Sequence, residues 1–196
     1  MQIGIFSGSF NPIHLGHTRL AQYIADHAGL DEVWLMVSPN NPLKPAGSLM
    51  DEQIRFMLAE RATAELPHIS ASDFEFSLPR PSYTVRTLEA LGNAYPEHRF
   101  SLIIGSDNMA IFHLWREWET ILRDYRIIVY PREGDDLETL EVRYPQMEVI
   151  EGAPLLDVSA TQIRENADDD ELLGKWLHPE VKDFLKKNRH LFAHIN

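Results

Sequence analysis

The strongest constraint on this chain is its series of short apolar runs, each stopped by glycine, serine or proline and each separated by a helical stretch. The first run, residues 3–6 (Ile-Gly-Ile-Phe), meets Ser7-Gly8-Ser9. Residues 33–37 form a second run stopped by Ser38-Pro39, Ile69 marks a third, and residues 100–104 a fourth that ends at Gly105. Residues 126–130 make a fifth, and Val149-Ile150 a short sixth. Between them, apolar residues recur at helical spacing, as Leu15, Leu20, Ile24 and Ala28 do, and as Ile54, Met57 and Leu58 do. Further helices are expected over about 51–65, over 82–91 with Ser82 as N-cap, over 115–122, and from Ser159 onward. Strands alternating with helices predict an α/β fold: a Rossmann-like, doubly wound parallel sheet with helices on both faces and a small helical C-terminal part. A single domain over 1–196 is expected, with 158–196 as that helical part. In such a sheet ligands sit beyond the carboxyl ends of the strands, so the turns at 7–8, 38–42 and 105–107 should share one crevice.

Composition narrows the functions. A net charge of −12 over 196 residues argues against general nucleic-acid binding. With no cysteine there is no disulfide, thiolate metal site or cysteine nucleophile. No apolar run reaches the ~20 residues that span a bilayer, and no signal-peptide pattern opens the chain. No nucleic-acid and no membrane partner is therefore expected, and the location is expected to be cytoplasmic. The acidic run 168–171 reads as a solvated loop or helix start.

The turn after the first run carries chemistry. Gly8 allows close approach or a positive φ, while Ser9 and Phe10 offer backbone N–H groups. The helix beyond Pro12 adds the partial charge of its N-terminus, which completes an anion site. His14 and His17 lie three apart, on one face of an opening helical turn, and Gly16 between them leaves room for a ligand. Taken alone, that histidine pair also fits half of a zinc site, or ordinary surface or capping histidines.

The whole segment from Gly8 to His17 resembles the G-x-F-x-P-x-H-x-G-H signature of the HxGH nucleotidyltransferase superfamily. Far downstream, residues 159–164 (Ser-Ala-Thr-Gln-Ile-Arg) resemble its S-x-T-x-I-R element. That resemblance implies a helix capped by Ser159, with Thr161 and Arg164 directed at a triphosphate. Residues 81–88 further resemble the S-Y-T-x-x-T-L element of the bacterial nicotinate-nucleotide adenylyltransferase family. Residues 103–107 and 115–122 resemble its I-G-x-D and W-x-x-[WY]-x-x-[IL]-L elements, and residues 38–44 its P-x-x-x-P-x-[HK] loop.

The family implies an enzyme joining ATP to nicotinate mononucleotide, with Mg²⁺ carried by the ATP and no metal ligand from the protein. His17, His14 and Arg164 are the catalytic candidates. Gly8, Ser9, Phe10, His14, His17, Lys44, Gly105, Asp107, Ser159, Thr161 and Arg164 are expected on ATP. Asn40, Tyr83, Thr84, Trp115 and Arg132 are expected on the mononucleotide, Trp115 by stacking on the pyridine. Trp118 is expected to pack. Leu43 stands where the family often has histidine, and Glu133 where it has proline. A homo-oligomer is left open.

Overall fold

A computed structural model describes residues 1–39, 49–154 and 158–191. Asn40 and Lys44 lie outside the described residues. Six parallel strands form one sheet: β1 (Gln2–Gly8), β2 (Glu32–Val37), β3 (Ile69–Ser72), β4 (Arg99–Gly105), β5 (Arg126–Tyr130) and β6 (Glu148–Val149), in the order β3-β2-β1-β4-β5-β6. The chain winds outward from β1 to β3, then crosses to the far side of β1 and winds outward again. The strand order therefore reverses between β1 and β4, and the C-terminal ends of these neighbours open a crevice.

The strands read as continuous apolar runs because both faces are covered. Ile3, Ile5, Leu102, Ile104, Ile127 and Val129 turn to one core, while Phe6, Val33, Leu35, Val37, Ile103 and Ile128 turn to the other. On the second face lie α1 (Leu15–His27) and α2 (Glu52–Thr63), with α8 (Asp170–Trp176) and α9 (Pro179–Lys187) from the C-terminal part. The first face is covered by α3 (Thr84–Ala94), α5 (Trp118–Asp124) and α6 (Leu137–Arg143). Two short helices, α4 (Ser106–Ala110) and α7 (Ala160–Glu165), stand next to the crevice-forming segments.

Four local expectations change. The N-cap of α3 is Tyr83, not Ser82, and the helix runs on to Ala94. Residues 115–122 are not one helix: a 3₁₀ turn covers Phe112–Leu114, Glu117 takes the left-handed region at φ 53°, and α5 starts only at Trp118. The loop 72–82 contains a 3₁₀ turn at Phe74–Ser77. Gly8 does not take positive φ; Phe10 does, at 44°. What Gly8 supplies is clearance, since a Cβ there would lie 2.9 Å from the Phe10 ring.

The acidic run behaves as a solvated helix start. Asp169 accepts from the Glu171 and Leu172 N–H groups, Asp168 pairs with Arg189, and Asp170 meets Lys186 at 2.5 Å.

Candidate active site

The crevice is lined by Phe6 to Gly8 at the end of β1 and Ser9 after it, Ser38 after β2, Leu102 to Gly105 and Asn108 from β4 and α4, and Tyr130 from β5. Glu75, Ser82 to Thr84 and Leu114 to Arg116 close its other end. Ser7 and Gly8, Ser38 and Gly105, from three of the expected turns, thus line one cleft, while Pro39, Ser106 and Asp107 stand outside that lining and 40–42 lie outside the described residues.

At the β1 end, His14 is the N-cap of α1 and His17 its third helical residue. Their rings stack at 3.6 Å with 25° between planes, and Phe10 meets His17 edge-on at 4.9 Å. The His14 backbone N–H donates to His17 Nδ1 at 3.3 Å. An Nδ1 that accepts leaves the proton of a neutral ring on Nε2, so His17 is a hydrogen-bond donor at that atom. Burial, followed by the Arg132 charge, lowers the His14 pKa to about 4. His17 is lowered well below its usual value by burial, then by His14 and Arg132. Both rings are therefore neutral donors at pH 7 rather than cations. His14 Nδ1 is buried with no partner among the described residues. A Cβ on Gly16 would stand 2.8 Å from that same atom and 3.1 Å from Val158 Cγ1.

The loop after β1 is held from several sides. Arg55, fully buried in α2, donates to the carbonyls of Ser9 (2.6 Å), Ser38 (2.8 Å), Pro39 (3.1 Å) and Met50 (2.9 Å). Asn11 Oδ1 accepts from the Met50 N–H at 2.9 Å. Arg164 donates to the Asn11 carbonyl at 2.8 Å and to Thr161 Oγ at 3.2 Å. Ser159 caps α7 through a reciprocal pair: its Oγ accepts from Gln162 N–H at 3.1 Å, and Gln162 Oε1 accepts from Ser159 N–H at 2.6 Å. The two ends of the sequence that carry Gly8 to His17 and Ser159 to Arg164 are thereby brought together.

At the β4–β5 side, Gly105 leaves space for the Asp107 carboxylate, which a Cβ would strike. The Arg132 guanidinium lies 3.8 Å from Asp107 and over the Tyr130 ring at 5.4 Å, and the Arg132 backbone N–H donates to Ser106 Oγ at 2.7 Å. Ser106 Oγ in turn donates to Asp135. Arg132 is thus grouped with Asp107 and the histidines, whereas Tyr83, Thr84 and Trp115 gather at the opposite, aromatic end. There Trp115 leans on Phe112 at 5.4 Å, and Arg116 sits 4.9 Å over the Tyr83 ring. Trp118 packs edge-on against Phe112 and Tyr144, away from the crevice lining.

Sequence reasoning missed Arg55, Glu75, Asn108, Arg116 and Tyr130. Glu75 is 3% exposed and accepts from Ser38 Oγ and Thr87 Oγ, each at 2.8 Å. Burial raises its pKa, against the two hydroxyls, which lower it. Asn108 and Arg116 adjoin recognised elements and could have been found by that adjacency. For Arg55 and Glu75 no local signal exists, because their partners are carbonyls and hydroxyls distant in sequence.

A cytidylyltransferase-like family model matches residues 5–166. A probable nicotinate-nucleotide adenylyltransferase of Bacteroides thetaiotaomicron is 46% identical over 187 residues, covering 95% of this chain and 92% of that protein. One of Flavobacterium johnsoniae is 43% identical over 189 residues, covering 96% and 97%. Among solved structures, Plasmodium falciparum nicotinic acid mononucleotide adenylyltransferase complexed with NaAD superposes with a TM-score of 0.79 at 20% identity, covering 98% of each chain. That last likeness is one of fold.

Proposed function

We propose, since the chain belongs to the cytidylyltransferase-like family and within it to the nicotinate-nucleotide adenylyltransferases, that it joins ATP to nicotinate mononucleotide, giving deamido-NAD and pyrophosphate as a step of NAD biosynthesis. The observation that carries this reading is a crevice whose lining joins Gly8 and Ser9 to Tyr83, Thr84 and Trp115. Beside it, behind the loop after β1 and outside that lining, stand the stacked His14 and His17, with Arg132 close to them and Arg164 hydrogen-bonded to Asn11.

The mononucleotide phosphate attacks the α-phosphorus of ATP, and the bond to the leaving pyrophosphate breaks. A phosphate monoester has its second pKa near ~6, so at pH 7 the nucleophile is already mostly a dianion and needs no base. The protein's work is to align two anions and stabilise the charge on the α-phosphate and leaving group. His17 is assigned to the α-phosphate through its Nε2–H. Phe10, His14, Thr161 and Arg164 lie along the triphosphate, with Ser159 opening the helix beside them. Gly8, Ser9 and Gly105 let the nucleotide approach the backbone, and Asp107 meets the ribose hydroxyls. Trp115 stacks on the pyridine, and the N–H groups at the start of α3, by Tyr83 and Thr84, receive the carboxylate. Arg132 is assigned to the mononucleotide phosphate.

The reading takes Mg²⁺ to arrive with the ATP; when bound it would supply positive charge to the triphosphate, and no protein ligand is assigned to it. Among the described residues no helix is long and apolar enough to cross a membrane; a cytoplasmic location goes with this reading.

Pyrophosphate release with ATP and each pyridine mononucleotide tests it. The nicotinate form should exceed the nicotinamide form in kcat/KM, and equal values would remove the carboxylate assignment.

A further inference from the structure

Arg55 and Glu75 are both buried, yet the hydrogen bonds of neither run to the other. Each grips Ser38 instead. Arg55 Nη1 donates to the Ser38 carbonyl at 2.8 Å, while Ser38 Oγ donates to Glu75 Oε2 at 2.8 Å. Outward from Ser38, the same Arg55 nitrogen reaches the Ser9 carbonyl at 2.6 Å in the anion loop. On the other side, Thr87 Oγ donates to Glu75 Oε1 at 2.8 Å from inside α3. An unbroken polar chain, Ser9–Arg55–Ser38–Glu75–Thr87, therefore runs under the crevice from its anion end to the helix that opens its aromatic end.

Buried ionisable side chains are a costly way to hold two loops together, since apolar groups of similar volume often stabilise as well or better. What such a group with fixed hydrogen bonds supplies is defined geometry. It turns the peptides it grips as well: a trans peptide sets C=O and N–H in opposite directions, so drawing the Ser9 carbonyl toward Arg55 turns the Phe10 N–H the other way. We propose that Arg55 and Glu75 are positioning residues which, through Ser38 held between them, fix the triphosphate loop relative to the first turn of α3 and so set the spacing of the two substrates. The inference rests on the reading above, in which ATP and the mononucleotide occupy those two ends. Alignment is the main service such a transfer needs, and displacement of one reactant by ~1 Å can cost as much as ~10²-fold.

Arg55 and Thr87, at opposite stretches of this chain, do not line the crevice, which makes them the informative positions. Thr87→Val keeps shape and removes the hydroxyl; Arg55→Lys keeps charge and loses the fork. Steady-state pyrophosphate release should give a kcat lowered about tenfold in each variant, with both KM values within about twofold of native. The double variant should lose less than the product of the two single losses, as coupled residues do. Multiplicative losses, or a native kcat in folded Thr87→Val, would overturn the relay. If Arg55→Lys fails to fold, Thr87→Val decides alone through its kcat. No pyrophosphate release from the native enzyme would remove the substrate reading and the relay with it, whereas native turnover with an unchanged Thr87→Val removes only the relay.

Discussion

Gly16→Ala separates helix stability from catalytic geometry at one atom. Gly16 is the second residue of α1, where alanine is favoured over glycine by up to ~1 kcal/mol. Opposing that gain, the new Cβ would stand 2.8 Å from His14 Nδ1, 2.9 Å from its Cε1 and 3.1 Å from Val158 Cγ1, whereas ordinary contact begins at 3.4 Å. The ring must retreat by about half an ångström, a displacement that falls within the range where misplacement costs ~10- to 100-fold in rate. It cannot retreat toward His17, whose ring already stacks on it at 3.6 Å. Overpacking of this kind costs ~1–3 kcal/mol, which offsets the helix gain. We therefore expect kcat for pyrophosphate release to fall ~10- to 100-fold, while thermal unfolding moves by only a few degrees, about what ~1 kcal/mol produces in a domain of this size. A folded Gly16→Ala enzyme with kcat within twofold of native would refute the claim that the His14–His17 stack must be held in place.

Gly92→Ala in α3, where a Cβ meets open space, should stabilise by up to ~1 kcal/mol in urea unfolding without changing turnover; destabilisation there would contradict the helix geometry. His17→Ala should lower kcat by ~10²-fold or more with the fold retained, and near-native turnover would end its assignment to the α-phosphate. The histidines also predict a pH effect. His14 titrates at about 4 in the folded enzyme against the usual 6.5, so the unfolded chain takes up the proton first as pH falls. Stability present above 6.5 is lost progressively toward 4, by about 2 kcal/mol at pH 5 for His14 alone. Urea midpoints of the ligand-free enzyme should therefore drop between pH 7 and 5, and less steeply in His14→Asn; equal slopes in both proteins would refute the shift.

The sheet was readable because parallel strands covered on both faces leave no polar alternation to interpret: residues 33–37 and 100–104 could only be interior strands. The anion loop was equally readable, since its glycines, proline and histidines occupy consecutive positions. What escaped was whatever depends on distant partners. The break at Glu117 depends on a left-handed residue that carries no glycine to announce it. The short helices α4 and α6 offer too few residues for a period to emerge. Arg55 and Glu75 sit in stretches whose sequence looks like the charged face of a surface helix and a polar loop, and only the carbonyls and hydroxyls folded around them distinguish them from solvated charges.

The hydrogen bond from Arg164 to the Asn11 carbonyl spans 153 positions, so the turn after β1 is fully braced only when the late segment is in place. That turn lacks one of its braces until α7 has docked. Two segments far apart in sequence should then gain amide-exchange protection together, late in folding, and lose it together when α7 is pulled away. Ligand capture at this end of the crevice should consequently be weaker in a fragment that keeps both histidines but stops short of α7.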